Sequence, residues 1–238
     1  MTPVDPTPPV APNVEYQKIR GLIQTGDILL FRGARALSKV IEGISGAPYS
    51  HVAFLTKWDG RIIAMQSDLR GVEVIPASML VCQYEGKVEW WRLADEKRRT
   101  FDHRDFLDRA LTLVGIKYGY FSLLWLGIRM VLGMSVVKKY SNIRPSTLFC
   151  SSFVSYCYMN EGIEIDAKAG PGGTSPADFA RSGLFVDPQQ LFDGSNHEAC
   201  DQLLATKLGR GRRAGGPKGS VWNGKERRDA RVVPPAVP

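Results

Sequence analysis

Three β-rich runs at residues 51–57, 61–66 and 72–75 constrain the fold of this chain more than any other feature. The first run ends at Trp58-Asp59-Gly60, and an Asp-Gly pair between apolar runs is typical of a tight hairpin turn. The sequence therefore predicts an antiparallel meander. Further strands are expected at 27–31, within GDILLFRG, and at 88–93.

Helical periodicity follows the strands. Apolar residues recur at helical spacing in 102–114 and 151–161, and a Ser-Pro pair begins a short helix that ends near 181. Earlier helices are expected at 13–23 and 34–45, and a short extended piece at 185–186. Strands first and helices later indicate an α+β fold, with an antiparallel sheet packed against helices.

Composition and charge divide the 238 residues into one main domain with two tails. Residues 1–13 form an arm with five prolines, 14–194 the domain, and 195–238 a basic tail that is expected to be mostly disordered. From Lys207 onward nine Lys or Arg face two acidic residues, which indicates either weak contact with polyanions or a solvated solubility tail.

The beginning of the chain and the cysteines suggest a compartment. The first residues lack the basic and apolar regions of a secretory signal. Four cysteines without a CxxC pair indicate reduced thiols, and a cytoplasmic location is expected.

The most apolar segment of the chain is 121–137. It is about three residues short of a comfortable bilayer span and contains Arg129, so no integral membrane span is predicted. We expect a helix packed on the domain, or alternatively the lining of a groove for acyl chains or a membrane surface.

Cys150 is the cysteine best placed for chemistry. It begins a helical run, and a thiol at a helix N-terminus has a lowered pKa because the unpaired amides favour the thiolate. A thiolate nucleophile needs a base, and of the three histidines His51 begins a strand after a loop, where it can face a cleft. Gln66, on the next strand, is the candidate for orienting the imidazole.

Other site chemistries find no support in the sequence. The Cys and His positions lack the close ligand pairs of zinc sites, and the glycines at 170–173 lack the lysine of a phosphate-binding loop. No metal and no cofactor are predicted.

Six motifs together resemble a known superfamily: GDILLFRG, YSHVAFL, AMQSDLRGVEVIP, VGIKYGYFSLL, LFCSSFVSYCY and TSPADFARSGLF. Their order and spacing are similar to those of the permuted NlpC/P60 papain-like superfamily, in particular its YiiX/YebB-like group of permuted amidases. The resemblance extends from about Gly26 to Phe185. In that group the histidine precedes the cysteine, as His51 precedes Cys150 here.

The resemblance implies a circularly permuted papain-like fold and a cysteine hydrolase that acts on an amide, ester or thioester carbonyl. Implied substrates are peptides, including those derived from peptidoglycan, or lipid acyl groups. Relatives commonly have Glu at the position of Gln66, so an inactive binding module of the same fold is the alternative. By analogy, Tyr118 or Tyr120 would contribute to binding the oxyanion or the substrate.

Overall fold

The computed structural model of the protein describes residues 13–33, 48–84, 86–117, 148–168 and 170–192. The chain divides into a unit over Met1–Asp201 and a second unit over Gln202–Pro238, and all described residues belong to the first. The predicted helix at 34–45, the apolar segment 121–137 and almost all of both predicted tails lie outside the described residues.

Among the described residues, seven strands form one sheet in the order β1-β7-β6-β2-β3-β4-β5. The strands are β1 (Asn13–Glu15), β2 (Ile28–Arg32), β3 (His51–Trp58), β4 (Arg61–Asp68), β5 (Gly71–Pro76), β6 (Lys87–Leu93) and β7 (Phe185–Phe192). All neighbours pair antiparallel except β1 and β7, which are parallel. The predicted meander is β3, β4 and β5, with its hairpin turn at Asp59 and Gly60, both at positive φ.

Helices pack on both faces of this sheet. They are α1 (Tyr16–Ile19), α2 (Ala77–Gln83), α3 (Asp95–Arg98), α4 (His103–Thr112), α5 (Cys150–Asn160) and α6 (Pro176–Arg181), with a 3₁₀ turn at Pro171–Gly173. The mixture of one sheet and these helices agrees with the predicted α+β class.

Strand alternation divides the core into two clusters, because successive side chains of a strand point to opposite faces. On β3, Val52 and Phe54 pack with α4 and α5, and Ala53 and Leu55 pack with α1 and α2. Every member of either cluster is buried. The first face is the one that carries α5, which begins at Cys150.

At this end of the sheet one sequence expectation is wrong and another is correct but too short. Residues 13–23 form β1 and the short α1 rather than one helix, because Asn13–Glu15 pair with β7. The extended piece at 185–186 is the start of an eight-residue strand. Its DPQQ run has weak β propensity, and the β6–β7 pairing shifts register there, from Trp90↔Gln189 to Arg92↔Val186, with the extra residue on β7.

The expectation of four reduced thiols also fails in part. Cys150 and Cys157 are free and buried, whereas Cys82 in α2 is disulfide-bonded.

In the described part of the chain no helix is long and apolar enough to cross a bilayer.

Candidate active site

Cys150 is the first residue of α5, and only 5% of its surface is exposed. The turn before it is held by Phe149, whose N–H donates to Ser152 Oγ at 2.9 Å. Ser67 Oγ on β4 donates to the carbonyl oxygen of Leu148 at 2.7 Å. The sheet thus anchors the chain two residues before the thiol, and the beginning of α5 is fixed against the end of β4.

Strands β3 and β4 separate where they meet α5. Their paired register extends from Trp58↔Arg61 to Phe54↔Met65, although β3 continues to His51 and β4 to Asp68. The N–H of Val52, beyond the last pair, donates to Cys150 Sγ, and so does the N–H of Ser151. Because β3 and β4 are not paired at this end, the backbone N–H of Val52 is available to the Cys150 thiol.

His51 is the first residue of β3, paired with Phe31 of β2, and its ring packs against the Phe31 ring with centroids 5.2 Å apart. It is hydrogen-bonded to Cys150. Its Nε2 lies 2.8 Å from Oε1 of Gln66, a residue that is 5% exposed on β4. The structure therefore brings together the three residues that the sequence singled out, from three separate elements.

The partners of Gln66 determine the tautomer of His51. The side-chain amide of Gln66 donates through Nε2 to Glu73 Oε1 at 2.9 Å, so its carbonyl oxygen faces the imidazole. A carbonyl only accepts, which requires that Nε2 of His51 carry a proton. Nδ1 is then the nitrogen that bonds the thiol, and it can exchange a proton with Cys150.

The electrostatics favour a thiolate beside an imidazolium. Burial acts to raise the pKa of Cys150, but the His51 charge, its hydrogen bond and the N–H groups of Ser151 and Val52 lower it below its ordinary value. Burial acts to lower the pKa of His51, yet Cys150, Gln66 and the charge of Asp68 raise it. The two shifts have the directions that an ion pair between Cys150 and His51 requires.

Cys157, two turns further along α5, provides a contrast. Burial, with a smaller contribution from the charge of Glu161, raises the pKa of this thiol far above its ordinary value. It therefore stays protonated and acts as a small apolar core residue.

The loop that leads into β3 is anchored by a buried carboxylate. Glu89, on β6, accepts from Tyr49 Oη at 2.7 Å and from Trp91 Nε1 at 3.1 Å, and it pairs with Arg32 at 2.5 Å. Tyr49 is two residues before His51, so this network holds the start of β3. Burial, with the hydrogen bond to Glu89, raises the pKa of Tyr49 well above its ordinary value, so Tyr49 acts as a neutral donor.

Not every predicted site residue can be placed. Tyr118 and Tyr120 lie outside the described residues, as do Cys200 and His197. His103 begins α4, where its ring packs edge-on against Phe101.

Two groups of the site were not predicted from the sequence: the N–H of Val52 and the side chain of Glu73. Strand separation leaves no sequence signal, whereas Glu73 could have been found as the residue opposite Gln66 in a β4–β5 hairpin.

Over the described ranges, no three or more His, Cys, Asp or Glu side chains cluster as metal ligands would.

The fold and site together define an α+β protein in which a buried thiol at a helix N-terminus pairs with an imidazole on the central sheet. No family model and no curated protein matches the sequence. Among solved structures, the metalloprotein yiiX from Escherichia coli O157:H7, of the group DUF1105, is similar at 18% identity and a TM-score of 0.44. The match covers 72% of this chain and 89% of that chain.

Proposed function

We propose that the protein is a cysteine hydrolase of the circularly permuted, papain-like NlpC/P60 type, with Cys150 as nucleophile, His51 as general acid and base, and Gln66 orienting the imidazole. One observation carries the proposal: a thiol with a lowered pKa is hydrogen-bonded to an imidazole that an amide holds in one tautomer. This is the arrangement that nucleophilic catalysis by cysteine needs.

The reaction follows from the positions of the groups. The Cys150 thiolate attacks the carbonyl carbon, and the C=O electrons move to oxygen. The N–H of Cys150, at the first position of α5, is one of the amides without a helical partner and stabilises that oxyanion. The imidazolium of His51 gives its proton to the leaving group as the C–N or C–O bond breaks. Water then attacks the acyl-enzyme, His51 takes a proton from it, and the acid and the thiolate are released.

Amides are the substrate class we favour, with peptides and peptidoglycan-derived peptides as the expected source. Acyl esters and thioesters would use the same steps, and transfer to an acceptor other than water would make the protein an acyltransferase. The features that would support a lipid substrate, residues 121–137, lie outside the described residues. Polyanion contact through the basic tail and a cytoplasmic location remain predictions.

Labelling with a peptidyl acyloxymethyl ketone tests the enzymatic proposal. We expect this thiol-directed probe to modify Cys150 at least about 100-fold faster than Cys157, because the pKa of Cys150 lies below the ordinary value of a thiol and that of Cys157 lies far above it. Peptide mass spectrometry would identify the modified residue. The control is Cys150→Ala, which should abolish labelling. If the intact protein is not modified at Cys150, it is a binding module of the same fold.

The pH dependence of hydrolysis gives a second test. Activity should rise with pH as Cys150 becomes a thiolate, at a pH below about 8.5, the ordinary pKa of a thiol. It should fall as the imidazolium of His51 loses its proton, at a pH above about 6.5. The rise with pH can be checked separately. The rate at which iodoacetamide alkylates Cys150 would be measured from pH 4 to 10 in native and in urea-unfolded protein. A midpoint that is the same in both states contradicts the lowered pKa.

A further inference from the structure

We propose that Glu73 is a positioning residue of this site, which acts through the amide of Gln66 on the imidazole of His51. The inference builds on the proposed function by adding a fourth member to the group, but its main test requires no substrate. Three observations support it: the register of β4 and β5, the direction of the amide, and the charges around it.

The register places Glu73 beside Gln66. The two residues are paired directly across β4 and β5, so their side chains leave the same face of the sheet. The amide of Gln66 spans the distance between them, with 2.8 Å from His51 Nε2 to Oε1 and 2.9 Å from Nε2 of the amide to Glu73 Oε1. The imidazole, amide and carboxylate thus form one continuous chain of hydrogen bonds.

The carboxylate determines which end of the amide meets the imidazole. A glutamine side chain can turn its carbonyl or its NH₂ group toward a neighbour, and a histidine can match either end by changing tautomer. An ionised carboxylate can only accept, so Glu73 selects the NH₂ group of Gln66 and leaves the carbonyl for His51. Nδ1 is thereby kept for the thiol. A neutral Gln66 alone would not make this choice.

Glu73 also places a negative charge behind the neutral amide of Gln66. The groups that face His51 are Cys150 from α5 and Asp68 and Gln66 from β4. Phe31 from β2 covers the ring. Behind Gln66, Arg70 pairs with Glu73 at 3.0 Å and with Asp68 at 3.1 Å, and its side chain is 74% exposed. Because solvent screens Arg70 more than it screens Glu73, the carboxylate keeps part of its effect on the imidazolium.

The competing interpretation is that Glu73 only forms a surface ion pair with Arg70 on an edge strand. Glu73→Gln separates the two, because it removes the charge while keeping the shape of the side chain. We expect the pKa of His51, measured by NMR of ¹³C-labelled histidine in the free protein, to fall by about half a pH unit. Arg70→Gln should shift it in the opposite direction, since it leaves Glu73 without its cation.

Glu73→Lys tests the orientation. A lysine only donates, so Gln66 must turn its carbonyl toward it and its NH₂ toward His51. The imidazole is then forced to carry its proton on Nδ1, which ¹⁵N shifts report directly, and alkylation of Cys150 at pH 7 should slow at least about tenfold. Asp105→Asn is the matched control, because Asp105 also forms an exposed pair with an arginine, Arg109, and lies outside the site.

The results of these experiments distinguish the role of Glu73 from the hydrolase function. The proposal is supported if Glu73→Gln lowers the pKa of His51 and Glu73→Lys changes its tautomer, while Asp105→Asn does neither. It is overturned if both Glu73 variants behave like Asp105→Asn. Failure of the probe to modify Cys150 would reject the hydrolase function, but the titration of His51 would still decide the role of Glu73.

Discussion

Replacing His51 with glutamine is expected to reduce hydrolysis by about 10³- to 10⁴-fold and to slow alkylation of Cys150 at pH 7. In the proposed reaction this imidazole exchanges a proton with the leaving group and with water, and the substitution removes it. It also removes the largest effect that lowers the pKa of Cys150, so burial then keeps the thiol protonated. The measurements are kcat/KM on the substrate that the wild-type chain cleaves and the iodoacetamide rate as a function of pH.

His103→Gln is the matched control. Both histidine rings pack against a phenylalanine, with centroid separations of 5.2 Å for His51 and Phe31 and 5.3 Å for His103 and Phe101. His103 has no contact with the thiol among the interactions of the described residues, so its replacement should change kcat/KM less than about twofold. If the two variants lose activity equally, the loss reflects packing and His51 is not the base.

Asp27→Asn is expected to have the largest effect on stability, a loss of about 3–5 kcal/mol in the free energy of unfolding. Asp27 is fully buried just before β2, and its carboxylate accepts hydrogen bonds only. Its partners share the property of being donors: the N–H groups of Gln24 and Leu93, Nε1 of Trp90 and the guanidinium of Arg98. An amide would turn NH₂ toward some of these donors and leave the Arg98 charge uncompensated. Urea unfolding followed by tryptophan fluorescence measures the loss.

Asp187→Asn serves for comparison, since Asp187 pairs with Arg92 at 2.9 Å but is 61% exposed. An exposed pair of this kind contributes about 0–1 kcal/mol, and asparagine tolerates the positive φ of this position. We expect the two substitutions to differ by at least about 2 kcal/mol. Equal effects would mean that the network around Asp27 contributes no more than a surface ion pair.

The sequence predicted the local parts of the site well. The β-rich run at 51–57 and the helix after Cys150 are strongly patterned, and their observed bounds differ from the predicted ones by a single residue. Such patterns reflect burial on one face of an element, which a single sequence records. The choice of Cys150 also followed from local position, because the start of a helix offers free amides to a thiolate.

What the sequence did not predict depends on distant pairing. Residues 13–15 become a strand only because β7 lies beside them, and β7 itself carries a polar run that resembles a loop. Likewise, the donation of the Val52 N–H to Cys150 requires that β3 and β4 separate after Phe54↔Met65, which is a property of the pair of strands and not of either one. The role of Glu73 depends on register in the same way.

The hydrogen bond from Tyr158 Oη to the carbonyl of Gly26, at 2.6 Å, spans 132 residues of sequence. Together with the Ser67–Leu148 bond, it means that α5 acquires its place only after long-range contacts have closed. Loop-closure entropy opposes such contacts until other parts of the core have formed, so we expect α5 to dock at a late stage of folding. Before that stage Cys150 has no imidazole beside it and is an ordinary thiol. Under the proposed function, the nucleophilic reactivity of Cys150 therefore depends on the completed fold, and we expect an incompletely folded chain to resist acylation.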